Sequence, residues 1–150
     1  VETGLFREDV ELERIDFALE GGAIDSDGAG NILTTWRCLA QRHPDASPQA
    51  IEVALSQFLR ATRVAILEHG ALEGDDTDAH IDTLARYAAA DLIVHQACDD
   101  PVDPHHAELA AMAAELAALR RADGSPYRLA ALPWAQPIHD ADGRRLAASY

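Results

Sequence analysis

The order of apolar runs and turn signals in this chain occurs twice, about 60 residues apart. That periodicity constrains the fold more than any single motif does. In the first pass, Ile15, Phe17 and Leu19 alternate with polar residues into Gly21–Gly22, a strand signature. A turn at Asp27–Gly28 and Gly30 leads to a second expected strand, Ile32–Thr35. Ser47 and Pro48 read as an N-cap and first helical residue, after which Ile51, Ala54, Leu55, Phe58 and Leu59 keep one apolar face. Arg63–Leu67 is a short apolar run that reads as a buried strand.

The second pass follows the same order. Ile81, Leu84 and Tyr87 lie in an extended polar–apolar segment, and Leu92–Val94 is an apolar run. The prolines and acids of Asp99–His106 open a helix with the apolar face Leu109, Met112, Ala113, Leu116 and Leu119, ending near Asp123–Gly124. Tyr127–Leu132 reads as a closing strand before Pro133. Each pass predicts a β-β-α-β unit, over about residues 13–68 and 79–133, and 134–150 with its Asp142–Gly143 turn would open a third. One such unit cannot bury both faces of its sheet, whereas stacked units can. The expected fold class is α/β. The plain alternative is an α/β sandwich whose spacing is accidental.

Charge narrows the partners. The formal charge is −14, and every one of the 12 basic residues is arginine. Such a surface repels nucleic acid and anionic membranes and suits a small cationic ligand. No run approaches the ~20 apolar residues of a membrane helix. Cys38 and Cys98 form neither a disulfide framework nor a metal-ligand spacing, so a reduced, cytoplasmic setting is expected. No cofactor motif is present. Asp25–Gly30 looks like the start of a calcium loop, but Ala29 and Trp36 stand where ligands are needed, so it reads as a hairpin turn. The adjacent His105 and His106 are poorly placed to share a metal, and no spacing supports zinc at His69, His80 and Asp82. Trp36 and Trp134 read as packing residues.

Two stretches carry far more polar specification than a surface needs: LEGGAIDSDGAGNILTT from Leu19 to Thr35, and GDDTDAHID from Gly74 to Asp82. Both resemble the guanidine-modifying deiminases, in the branch that holds agmatine deiminases and Porphyromonas-type peptidylarginine deiminases. The resemblance implies a pentein fold, five β-β-α-β blades around a pseudo-fivefold axis, of which this chain would be about two. It also implies a guanidinium substrate attacked by a cysteine thiolate, with agmatine favoured over arginine or peptidyl-arginine. His80 matches the acid/base histidine of an H-x-D pattern. Asp82, expected on the same strand face, matches a carboxylate that takes guanidinium N–H donors. Glu20 matches the acid of an E-G-G segment and would accept from the second histidine nitrogen. Asp76 is a further candidate substrate carboxylate, while Asp75 and Asp78 could cap the turn. The bland readings are a surface histidine among acids and a solvated glutamate ending a strand.

The sequence departs from the family pattern in places. Ala79 stands where glycine is usual and would narrow the pocket, and Arg42–Pro44 lacks an asparagine-rich loop. Neither cysteine sits in a nucleophile motif, so the nucleophile is expected outside these 150 residues. The leading reading is the central part of a guanidine deiminase, itself inactive and prone to self-association through its open flanks. The alternative is a catalytically incompetent assembly module of the same fold. A transferase using the same thiolate intermediate is a third.

Overall fold

Two small sheets, each with one antiparallel and one parallel pairing, carry the chain. The computed structural model describes residue 7, residues 9–75 and residues 77–146. The first sheet orders β1 (Ile24–Ser26), β2 (Asn31–Thr35) and β3 (Arg63–Leu67), with α1 (Trp36–Arg42) and α2 (Pro48–Phe58) crossing between β2 and β3. The second orders β4 (Ala85–Ala89), β5 (Leu92–Gln96) and β6 (Arg128–Leu132), with α3 (His106–Ala118) as the crossover. In both sheets the first pair is antiparallel and the second parallel. A parallel neighbour demands a long return connection, which the helices provide. The molecule is therefore mixed α/β. Among the described residues no helix is long and apolar enough to cross a membrane.

Local chemistry explains the helices. The Thr35 hydroxyl accepts from the Cys38 N–H and caps α1, and the Ser47 hydroxyl accepts from the Ala50 N–H and caps α2 ahead of Pro48. The Asp103 carboxylate accepts from the His105 N–H at the approach to α3. Strand alternation then sorts the core. Val64 and Ile66 of β3 meet Leu39, Ile51 and Leu55 beneath α1 and α2. Ala65 and Leu67 face the other way, into a larger core with Leu33, Leu84, Ile93, Leu109, Met112 and Leu116. Each such fully buried side chain contributes about 1.5–3 kcal/mol. Because α3 supplies three of these residues and Leu33 and Leu67 come from the first sheet, this core joins the two sheets. Asp25 adds a polar link, accepting from the Tyr87 N–H at 2.7 Å and from the Arg86 side chain at 3.2 Å.

Several expectations shift. Ile15, Phe17 and Leu19 form no strand, since no neighbouring strand offers them a ladder. Phe17 instead stacks on His43, with ring centroids 4.0 Å apart, and the first strand begins at Ile24. Ile81–Thr83 is a 3-10 turn, so His80 and Asp82 do not share a strand face; extension starts at Ala85. The helix α1 was not foreseen, being only seven residues long. The helix α3 stops at Ala118, and Asp123–Gly124 turns a separate small loop closed by the Arg120–Pro126 bridge. On α2, Ile51 and Leu55 are buried, whereas Phe58 and Leu59 stay largely exposed. The strand Arg63–Leu67 falls where expected but is an edge strand, and only Leu67 is fully buried.

A second polar knot holds residues 138–146. Their hairpin, bridged at His139–Arg145, sends the Arg145 guanidinium to the Asp103 carboxylate at 2.9 Å. Trp134 Nε1 donates to the same oxygen at 3.0 Å, and His105 Nδ1 lies 2.7 Å from the other. Both members of the Asp103–Arg145 pair are buried. Burial alone would raise the Asp103 carboxyl, but Arg145, the His105 N–H, Trp134 and the His105 ring outweigh it and hold it well below the usual range.

Asp103→Ala is expected to cost about 3–5 kcal/mol in a urea titration, because it strands a buried guanidinium. A carboxyl depressed in the folded chain stabilises above its unfolded pKa, and that stabilisation is lost as pH falls through the folded value. The urea midpoints of wild type and Asp103→Asn should therefore converge as the solution is acidified. Separately, Thr35→Val should cost about 1–3 kcal/mol, since two buried backbone groups lose their partner.

Candidate functional site

Two consecutive threonines of β2 suspend the two polar stretches. Thr34 Oγ1 donates to the Ala23 carbonyl at 2.7 Å, holding the 3-10 turn Gly21–Ala23 that follows Glu20. Thr35 Oγ1 donates to the Ala79 carbonyl at 2.7 Å, holding the loop that ends at His80. Both hydroxyl residues are almost wholly buried. The loop organises itself further. Asp75 accepts from Thr77 and from the Ala79 N–H, as its reading as a turn cap anticipated. Asp78 and Ala79 take φ of 62° and 65°, a left-handed conformation costing roughly 1–2 kcal/mol for alanine. Ala79 is buried in the larger core rather than narrowing a pocket.

The outcome is a close pair. His80 Nε2 lies 2.6 Å from Glu20 Oε2. If the carboxylate accepts from Nε2–H, Nδ1 is left as the nitrogen able to exchange protons. That nitrogen and the Asp82 carboxylate both stand over Gly22: a Cβ there would sit 2.7 Å from His80 Nδ1 and 2.8 Å from Asp82 Oδ2. Glycine is required at this position by contact. Asp82 makes no hydrogen bond among the described residues, and its Oδ2 lies beside His80 Nδ1 at Gly22. Glu20, His80 and Asp82 are thus brought together, although by a turn rather than by a strand face. Asp76 lies outside the described residues.

Sequence reasoning missed Arg42. Its guanidinium meets both Glu20 oxygens, at 2.7 and 3.0 Å, and Asp78 at 2.9 Å. No motif signals this, because Arg42 and Glu20 meet only once α1 folds back. His80 and then Arg42 hold the Glu20 carboxyl below its ordinary value. Cys38, on α1, lies close behind: ligand atoms of Glu20, Cys38 and His80 all fall within 4.8 Å of one another. Burial pushes the Cys38 thiol up, and Arg42 occupies both Glu20 oxygens. The set is therefore a hydrogen-bonded network, not an open metal cage. His69 and His105 are engaged elsewhere, His69 with Glu115 at 2.6 Å and His105 with Asp103.

A carboxylate–imidazole pair beside a second, open carboxylate can exchange a proton while binding a planar cation. The chain is similar to known deiminases. The agmatine deiminase of Stutzerimonas stutzeri is 33% identical over 144 residues, covering 91% of this chain and 39% of that protein. The agmatine deiminase of Pseudomonas fluorescens is 33% identical over 138 residues, covering 87% and 37%. The structure of a C. jejuni agmatine deiminase carrying a Cys-to-Ser substitution, with substrate bound, superposes with a TM-score of 0.84 at 37% identity, covering 98% of this chain and 43% of that one. The chain spans less than half the length of these relatives. The family model described as Porphyromonas-type peptidyl-arginine deiminase matches residues 1–150, and the chain belongs to that family.

Proposed function

We propose that this chain supplies the acid/base half of a guanidine deiminase site, acting on agmatine or on an arginine or peptidyl-arginine side chain. The observation that carries the reading is the Glu20–His80 contact of 2.6 Å, with His80 Nδ1 and the Asp82 carboxylate side by side over Gly22. Asp82 takes guanidinium N–H donors and fixes the plane of the substrate. A cysteine thiolate adds to the central carbon, and the C–N bond breaks as His80 Nδ1–H protonates the departing ammonia. His80 then takes a proton from water, whose oxygen adds to the thiouronium carbon. Collapse expels the thiolate, the hydroxyl proton leaves to the released ammonia or solvent, and the ureido product remains. Glu20 holds the imidazole in one tautomer throughout, as the acid of a triad does.

The thiolate is assigned to residues outside this chain. Cys38 and Cys98 are both buried, and burial raises both thiols. The same fact supports the second reading, an assembly module without turnover, for the 150-residue polypeptide taken alone. We also read the two β-β-α-β sheets as two blades of a five-bladed ring, with residues 134–150 opening the next and with flanks that favour self-association.

Ammonia release by the full-length gene product, with agmatine, arginine and an arginine peptide compared, tests the reading. His80→Ala should lower the rate by about 10²–10⁴. Asp82→Asn should weaken both binding and turnover, because an amide offers no second anionic acceptor. Gly22→Ala should impair turnover with the fold retained, since its methyl displaces His80 and Asp82. Cys98→Ser should still form a covalent substrate adduct. Near-normal turnover by His80→Ala would sink the assignment.

A further inference from the structure

We propose that Arg42 is a positioning residue for the Glu20–His80 pair, its guanidinium gripping the Glu20 carboxylate and the His80 loop together so that Oε2 stays aimed at Nε2. The inference rests on the site reading above and extends it to a residue that does not face Gly22.

Geometry carries it. Glu20 is half exposed and precedes a 3-10 turn, with no strand ladder to hold it. A long side chain in such a place samples several rotamers unless something restrains it. Arg42 does so through one terminal nitrogen, Nη2, which donates to both carboxylate oxygens at 3.0 and 2.7 Å in charge-assisted bonds. The other terminal nitrogen, Nη1, bonds Asp78, two residues before His80, so the rigid fork of one planar group ties Glu20 to the loop that delivers the imidazole. Arg42 is itself held on the last turn of α1, with its side chain only 20% exposed. A surface ion pair of ordinary kind joins two mobile side chains and contributes little. This one joins three segments, two of which carry the reacting pair.

The charges around Glu20 give the effect a direction. His80 faces it from the loop, Arg42 and the Cys38 thiol from α1, and Asp78 lies on the far side of Arg42. Asp82 stands with His80 across Gly22, and His43 at the C-cap of α1 is engaged by the Ala18 carbonyl. Arg42 is the fixed cation of the group, and after His80 it is the next contributor that lowers the Glu20 carboxyl. An ionised Glu20 is the form able to accept from Nε2–H.

Two readouts on the full-length gene product test this: carbonyl-carbon NMR titration of Glu20, and kcat and KM for agmatine. In Arg42→Gln, the Glu20 titration should move to higher pH, and kcat should fall about tenfold or more while KM changes little, because Arg42 acts through Glu20 rather than on substrate. Arg42→Lys keeps the charge without the fork. It should return the titration toward wild type and restore kcat only in part. An unchanged Glu20 titration in Arg42→Gln, or full recovery of kcat by lysine, would overturn the proposal. Should Arg42→Gln fail to fold, Asp78→Asn removes one anion and leaves the Glu20 grip in place. Asparagine tolerates the left-handed backbone at that position. The Glu20 titration should then move to lower pH, and a rise or no change would overturn the idea. The titration needs no substrate, so it stands even if agmatine is not turned over.

Discussion

Two buried hydroxyls, Thr34 and Thr35, determine where Glu20 and His80 lie. Neighbouring residues on a strand point to opposite sides, so this pair can grip two different segments from one short stretch of β2. One holds the carbonyl behind the Glu20–Gly21–Gly22 turn and the other holds the carbonyl before His80. The strand itself is paired on both sides, antiparallel to β1 and parallel to β3. Residues 60 apart in sequence therefore meet at hydrogen-bonding distance.

The loop carrying His80 is restrained from its other flank by α3. The Glu115 carboxylate accepts from the Glu68 and His69 N–H groups, Glu108 accepts from the Gly70 N–H, and His105 Nε2 accepts from the Glu73 N–H at 2.7 Å. The two carboxylates are charge-assisted acceptors and the imidazole a neutral one, and together they give the loop direction without giving it a ladder. They also make the second unit's helix a support for the approach to the site. The left-handed residues Asp78 and Ala79 persist because Asp75 and Thr35 fix the backbone on both sides of them.

A network of four charges or dipoles then sets the electrostatics. Arg42 and His80 converge on one carboxylate, and Asp82 keeps its acceptors open beside them. The second polar knot, around Asp103, has a different character. Its members are buried and satisfy one another, as a structural clasp requires.

Much was legible from local chemistry. Ser47–Pro48, the glycines of the Asp27–Gly30 turn, the run Arg63–Leu67 and the apolar face of α3 each follow from short-range rules, and each element formed close to its expected place. Glu20, His80 and Asp82 were visible as polar strings whose composition a surface does not need. What the local pattern could not determine was pairing. Ile15–Leu19 alternates like a strand, yet no neighbouring strand takes it up, and Ile81–Thr83 turns because its backbone closes on itself. The grip of Arg42 on Glu20, the nearness of Cys38 and the contact demand at Gly22 exist only after α1 folds back over the strand. The sequence by itself determined which groups could do proton chemistry. Tertiary structure decided which of them touch, because a hydrogen bond depends on distances of tenths of an ångström between residues that the chain order leaves far apart.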